Sequence, residues 1–101
     1  MNTDEPRGLR QAAEWDLADY LDTKNDIIGF MNACLEEDDF ETLWASIGDI
    51  ARSKGMTQLS RETGITRDGL YKAFSPDGNP TFSNVMKVLK ALGLRLSVTA
   101  N

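Results

Sequence analysis

Between Phe40 and Ala51 the apolar residues fall at Phe40, Leu43, Trp44, Ile47, Ile50 and Ala51. That spacing is i, i+3, i+4, i+7, i+10 and i+11, which puts every one of them on a single helical stripe. A strand cannot present this set on one face, because its side chains alternate. The chain must therefore build around an amphipathic helix that buries one side. Asp38 or Asp39 in front of it can cap its N-terminus. Gly55 behind it supplies a left-handed residue to end it, and Arg52 and Lys54 suit the dipole of its last turn.

The same reading extends in both directions. Thr23 with Asp26 looks like an N-cap with an acid in the first turn, and Ile27, Met31, Cys34 and Leu35 recur at helical spacing, predicting a helix over about 24–37. Ile28 and Phe30 widen that face. Thr57 is expected to cap a short helix carrying Gln58, Leu59, Ser60, Arg61 and Glu62. Gly64 is a corner, Ile65 points inward, and Thr66 caps a helix running to Phe74. "SPDGNP", residues 75–80, is a turn cluster. Thr81 or Ser83 opens a last helix with Phe82, Val85, Met86, Leu89 and Leu92 on one face, and Gly93 closes it. The fold class is all-α, four to five helices with short connections. The expected organisation is an N-terminal arm over 1–15, flexible for want of large apolar groups, and one domain over 16–101.

The tail departs from this period. In "LRLSVTA", Leu94, Leu96 and Val98 alternate with Arg95, Ser97 and Thr99, which is strand periodicity over about 94–99. A lone strand needs a partner for its backbone groups. The expectation is a ribbon paired across a dimer through Leu94, Leu96 and Val98; the alternative is a disordered tail.

Several chemistries are excluded by what is missing. There is no histidine and only one cysteine, which removes the commonest general base and the commonest zinc ligand, so no zinc site is expected. Cys34 reads as a small core residue rather than a redox thiol. Glu36-Glu37 and Asp38-Asp39 are sequence neighbours that do not share a helix face, and the Asp22, Lys24, Asp26 series lacks the glycine and glutamate of a calcium loop. No metal, cofactor or enzyme activity is expected. No apolar run approaches the ~20 residues of a membrane span, and the N-terminus lacks the apolar middle of a secretory signal, so a cytoplasmic protein is expected.

Charge is divided along the chain. Residues 1–50 carry 13 acidic and 3 basic side chains, whereas residues 51–101 carry 3 acidic and 8 basic ones. The basic half holds residues 57–74, which satisfy the demands of a helix-turn-helix. Ser60 is small where the helices cross, Gly64 tolerates the corner, and Leu59, Ile65 and Leu70 hold the two helices together. Thr66, Arg67, Asp68, Tyr71 and Lys72 would then face a major groove. Arg67 suits guanine or phosphate, and Asp68 suits cytosine or orients Arg67. Gln58, Ser75, Asn79 and Thr81 are candidate phosphate contacts. Gly69 allows a close approach, to DNA or to another helix. A plain helical hairpin with a glycine corner is the alternative.

The stretch "MTQLSRETGITRDGLYKAFSPDGNPTFSNVMKVLKALGLRLSV", with "YLDTKNDIIGFMNACLEEDD" and "IGDIARSKGM" upstream, resembles the HigA-like antitoxins. It is most similar to the probable addiction-module antidote proteins, within the lambda-repressor-like superfamily, over roughly residues 16–100. The resemblance implies a type II antitoxin that neutralises a small RelE/HigB-like toxin from the adjacent gene. It also implies binding to operator DNA, commonly as a dimer, to repress transcription, with the recognition positions Thr66, Arg67, Asp68, Tyr71 and Lys72. Such toxins bind RNA and are expected to be basic, which gives the acidic half a partner. Trp15, Leu17, Tyr20 and Leu21, set among Asp16, Asp19 and Asp22, are candidate toxin anchors or else pack on the chain's own core. The competing readings are a stand-alone repressor without a toxin, and a protein-interaction module that has lost DNA binding.

Overall fold

The structure is a computed structural model that describes residues 24–101. The described residues form five α-helices and no strand: α1 Lys24–Glu36, α2 Phe40–Lys54, α3 Met56–Thr63, α4 Arg67–Ala73 and α5 Phe82–Ala91. The all-α class is as the sequence predicts. The caps expected at Thr23 and the apolar residues Trp15, Leu17, Tyr20 and Leu21 lie outside the described residues.

The helix corners explain how five elements fit into so few residues. α1 buries Ile27, Met31 and Cys34, and ends one residue short of the predicted boundary. Asp38 follows with φ 55°, the left-handed region that normally falls to glycine. There the Asp38 N–H reaches the Leu35 carbonyl at 3.2 Å and the Asp39 N–H reaches that of Cys34 at 2.9 Å, the two bonds of a Schellman stop. The Asp39 carboxylate then accepts from the Thr42 N–H at 3.2 Å and starts α2. A single residue, Gly55, separates α2 from α3. Its N–H closes α2 on the Ala51 carbonyl, and its carbonyl accepts from the Leu59 N–H to open α3. Gly55 thus takes the cap position expected of Thr57, which lies inside the first turn of α3 instead. Gly55 also adopts φ 113° and ψ 114°, a positive φ but not the left-handed helical well.

α3 is the hub, packed against α2, α4 and α5. The side chains with almost no exposure, Ile47, Leu59, Leu70, Phe74 and Val88, come from α2, α3, α4, the residue capping α4, and α5. Burying each is worth about 1.5–3 kcal/mol relative to leaving it in water. Ser46, the buried polar residue of α2, donates to the Leu43 carbonyl at 2.9 Å, so nothing is left unpaired there. Gly48 sits in the same stripe. A Cβ at that position would collide with the carbonyl oxygen of Phe74, so α2 meets the end of α4 backbone to backbone.

Six apolar residues depart from the expected pattern, beginning with Ile28, Phe30 and Leu35, which the spacing puts on the buried face of α1 and which are exposed. Phe40, at the head of the α2 stripe, is 45% exposed and stacks on Trp44 at 5.8 Å, while Trp44 meets the Phe74 ring edge-on at 6.4 Å. Phe82 is 71% exposed and Met86 is also exposed, because α5 turns Val85, Val88 and Leu89 inward against α3. Phe82 has the right spacing but stands at the first position of the helix, outside the core. α5 opens at Thr81, whose hydroxyl accepts from the Asn84 N–H, and stops at Gly93, φ 84°. The Gly93 and Leu94 N–H groups bond the Lys90 and Leu89 carbonyls at 3.0 and 2.8 Å, a second Schellman stop.

In the single chain, the tail forms no strand. Its alternation turns Leu94 and Leu96 onto the chain's own core, half-buried, and leaves Val98 98% exposed. Of the three residues expected at a dimer ribbon, two are thus already in use within the chain.

Candidate nucleic-acid interface

The site is built from the corner between α3 and α4. Gly64 takes φ 78° and ψ 7°, and its N–H bonds the Ser60 carbonyl at 2.9 Å. Three hydroxyls then fix the turn. Ser60 donates to the Ile65 carbonyl. Thr63 donates to the Leu59 carbonyl at 2.8 Å and accepts from the Ile65 N–H at 3.2 Å. Thr66 accepts from the Gly69 N–H at 3.0 Å and caps α4. Hydrogen bonds at three successive hydroxyls limit the freedom of the corner to open, which helps hold α4 in place.

Gly69 faces inward. A Cβ there would come 3.1 Å from the Thr66 hydroxyl and 3.2 Å from Ile65 Cγ2. Its missing side chain makes room for the capping contact within the chain. Leu70 and Phe74 fill the underside of α4 at 0% and 1% exposure. Thr66, Arg67, Asp68, Tyr71 and Lys72 are all exposed, and from Arg67 onward they recur at i, i+1, i+4 and i+5. The structure therefore brings the five expected recognition residues together on one outward face.

Their electrostatics are less basic than the residue list suggests. Lys72 Nζ lies 3.2 Å from the Asp68 carboxylate, one turn away, with both side chains more than three-quarters exposed. Solvent leaves such a pair worth little, and a phosphate can compete for the lysine. Gln58 donates its side-chain amide to Glu62 at 2.9 Å, and Lys54 stands 3.8 Å from the same carboxylate. Ser75 donates its hydroxyl to the Lys72 carbonyl at 3.1 Å, so its proton is committed to ending α4. Thr81 caps α5 through its oxygen. Asn79 is exposed on the loop between α4 and α5.

That loop is pinned as well. A Cβ at Gly78 would strike the Ala73 carbonyl, and the Gly78 N–H bonds the Ser75 carbonyl at 2.9 Å. Gly48 and Gly78, which the motif does not include, thus set where α4 lies. A glycine inside an otherwise apolar helical stripe was the available signal for Gly48. Among the described residues no group of three His, Cys, Asp or Glu side chains can hold a metal ion, and no helix is long and apolar enough to cross a membrane.

Residues 11–100 match the family model described as "Probable addiction module antidote protein". The chain belongs to that antidote family. A protein of Haemophilus influenzae, described as "Uncharacterized protein", is 47% identical over 88 residues, which cover 87% of this chain and 91% of the relative. No solved structure matches. Membership of the antidote family assigns the chain an antitoxin role, and an antidote implies a toxin as partner. The family match begins at residue 11, so the antidote unit takes in the stretch from Trp15 to Leu21.

Proposed function

We propose that this antidote is the antitoxin of a type II module with two activities. It neutralises a RelE/HigB-like toxin from the adjacent gene, and as a homodimer it binds its own operator DNA and represses transcription in the bacterial cytoplasm. The observation that carries the DNA activity is the outward row Thr66, Arg67, Asp68, Tyr71 and Lys72, held over a fully buried underside by a hydrogen-bonded glycine corner. This is the arrangement that lets the first turns of a second helix enter a major groove, with Arg67 forked toward guanine or phosphate. Asn79 and Thr81 flank it as uncharged phosphate contacts. Toxin capture falls to the acidic half, where Glu36, Glu37, Asp38, Asp39 and Glu41 are exposed around the α1–α2 corner. Such a patch complements a basic, RNA-binding surface. Dimerisation would pair the tail beyond Leu96, where Val98 is bare.

One observation favours an interaction module without DNA binding: the Asp68–Lys72 and Gln58–Glu62 pairs offset part of the polar row. Fluorescence anisotropy on a duplex carrying the region upstream of the gene pair, at two salt concentrations, decides between the two. Wild type is expected to bind tightly and to weaken steeply with salt, because phosphate neutralisation releases counterions. The Arg67→Ala, Lys72→Ala double variant is expected to lose that binding. A folded wild-type protein that does not bind at low salt would leave toxin capture alone.

A further inference from the structure

On the side formed by α1, α5 and the tail lies an open apolar groove of about 330 Å³. Ile28, Met31, Asn32 and Leu35 recur along its wall at i, i+3, i+4 and i+7, so α1 runs lengthwise beside it. Phe82 of α5 and Phe40 of α2, at 71% and 45% exposure, are among its other walls. A contiguous apolar surface rimmed by charge is the mark of a protein contact.

The two ends of the groove carry opposite charge. Lys24 Nζ, in the first turn of α1, donates to the Gly93 carbonyl at 3.4 Å. The groove is basic at that end: Arg95 belongs to its lining, and Lys87 and Lys90 join Gly93 and Arg95 around the adjoining depression. Against these cations α1 sets one acid in its first turn, Asp26, so the balance is positive. Leu35 stands three turns further along α1, ~16 Å away at the helical rise. The groove is acidic there, because Glu36, Glu37, Asp38 and Glu41 are exposed around Leu35 and Phe40. Among the described residues no ion pair joins Lys87, Lys90 or Arg95 to a carboxylate, or any of those four acids to a cation. The ends are about two Debye lengths apart at physiological salt, so neither neutralises the other within one chain.

We propose that this groove is the face on which two copies of the chain meet, packed antiparallel about a two-fold axis. The inference rests on the homodimer of the proposed function and names its surface. A two-fold contact uses the same patch on both copies, so the acidic end of each groove lies over the basic end of the other. One geometry then covers Phe40 and Phe82 and pairs both charge clusters twice. A uniformly basic partner such as an RNA-binding toxin gains at the acidic end and loses at the basic one, whereas a second copy brings both signs. The tail agrees with this occupant. Leu94 and Leu96 are groove walls, and Val98, bare beyond them, carries the contact past the groove.

The test is sedimentation equilibrium on the full chain with two charge-reversed pairs, Glu36→Lys with Glu37→Lys and Lys87→Glu with Lys90→Glu. All four positions are exposed, and far-UV circular dichroism checks that each variant is folded. Wild type is expected to dimerise. Each pair alone sets like charges across the axis and should raise the dimer dissociation constant roughly a hundredfold. Mixing the two variants restores opposite charges at both ends, so a one-to-one heterodimer should form within roughly tenfold of the wild-type affinity. A mixture that stays monomeric would overturn the proposal. Charge pairs that dimerise like wild type, while Val98→Asp does not, leave the homodimer on the tail alone and remove the groove from it. Charge pairs that dimerise but no longer neutralise the toxin give the groove to the toxin instead. A monomeric wild type sinks the proposal and the homodimer reading together.

Discussion

The outward face of α4 and the groove between α1, α5 and the tail both meet solvent, yet they are finished differently. On α4 the apolar residues, Leu70 and Phe74, are wholly inside, and Arg67, Asp68, Tyr71 and Lys72 stand outside. Around the groove the apolar side chains themselves stand outside, led by Phe82. The first face is complete in water and can meet a hydrated, charged partner without unfolding anything. The second leaves large apolar side chains exposed among the described residues. The comparison teaches that exposure alone does not define a binding surface; what distinguishes the two is whether the buried layer beneath is closed.

The sharpest way to break the contrast is to open the closed layer. Leu70→Ala should cost about 2–5 kcal/mol in urea unfolding, because it leaves a cavity under α4. Unchanged stability would show that the underside of α4 is not part of the core. Gly48→Ala should cost about 1–3 kcal/mol by pushing Phe74 away from α2, again read from the unfolding midpoint. Arg67→Ala tests the outer layer alone. Stability should stay within about 0.5 kcal/mol, while affinity for the operator falls by about 1–3 kcal/mol in anisotropy titrations. Asp38→Gly should raise the melting temperature slightly. It relieves a left-handed aspartate and removes a carboxylate from a helix C-terminus, and the gain stays below about 1 kcal/mol because glycine also loosens the unfolded chain.

The smallest effect concerns pH. Burial, and then the carboxylates of Asp39 and Glu37, push the Cys34 thiol above its ordinary value of 9.0. The folded state therefore holds the proton longer than the unfolded one. The stability linked to it is intact below pH 9 and is lost as pH rises through the folded value. Cys34→Ala should flatten that alkaline decline in denaturation curves measured on either side of pH 9.

Much of the fold was legible because its corners are local. Gly64, Thr66, Thr81, Gly93 and Asp39 each announce a stop or start through their own backbone preference, and each performs it. Thr57 misled because Gly55 serves two helices at once, which composition cannot reveal. Phe82 misled because periodicity gives a face and not the length over which a neighbour covers it. The five residues of the α4 face were legible because Leu59 and Leu70 fix the inside, which fixes the outside. The pairing of Gln58 with Glu62 and of Lys72 with Asp68 depends on rotamers, and the spacing only permits it. The tail's alternation predicted a strand that does not form among the described residues, because the pattern does not say what Leu94 and Leu96 lie against.

The contact between Gly48 and the Phe74 carbonyl bears on how chains of this kind diverge. The seat of α4 is set by main chain against main chain, so it carries no memory of which side chains α4 displays. Descendants can exchange Arg67, Asp68, Tyr71 or Lys72 and inherit the support unchanged. They cannot enlarge Gly48 without refitting two helices. Innovation is cheap on one side of α4 and frozen on the other, and a set of such sequences should diversify accordingly.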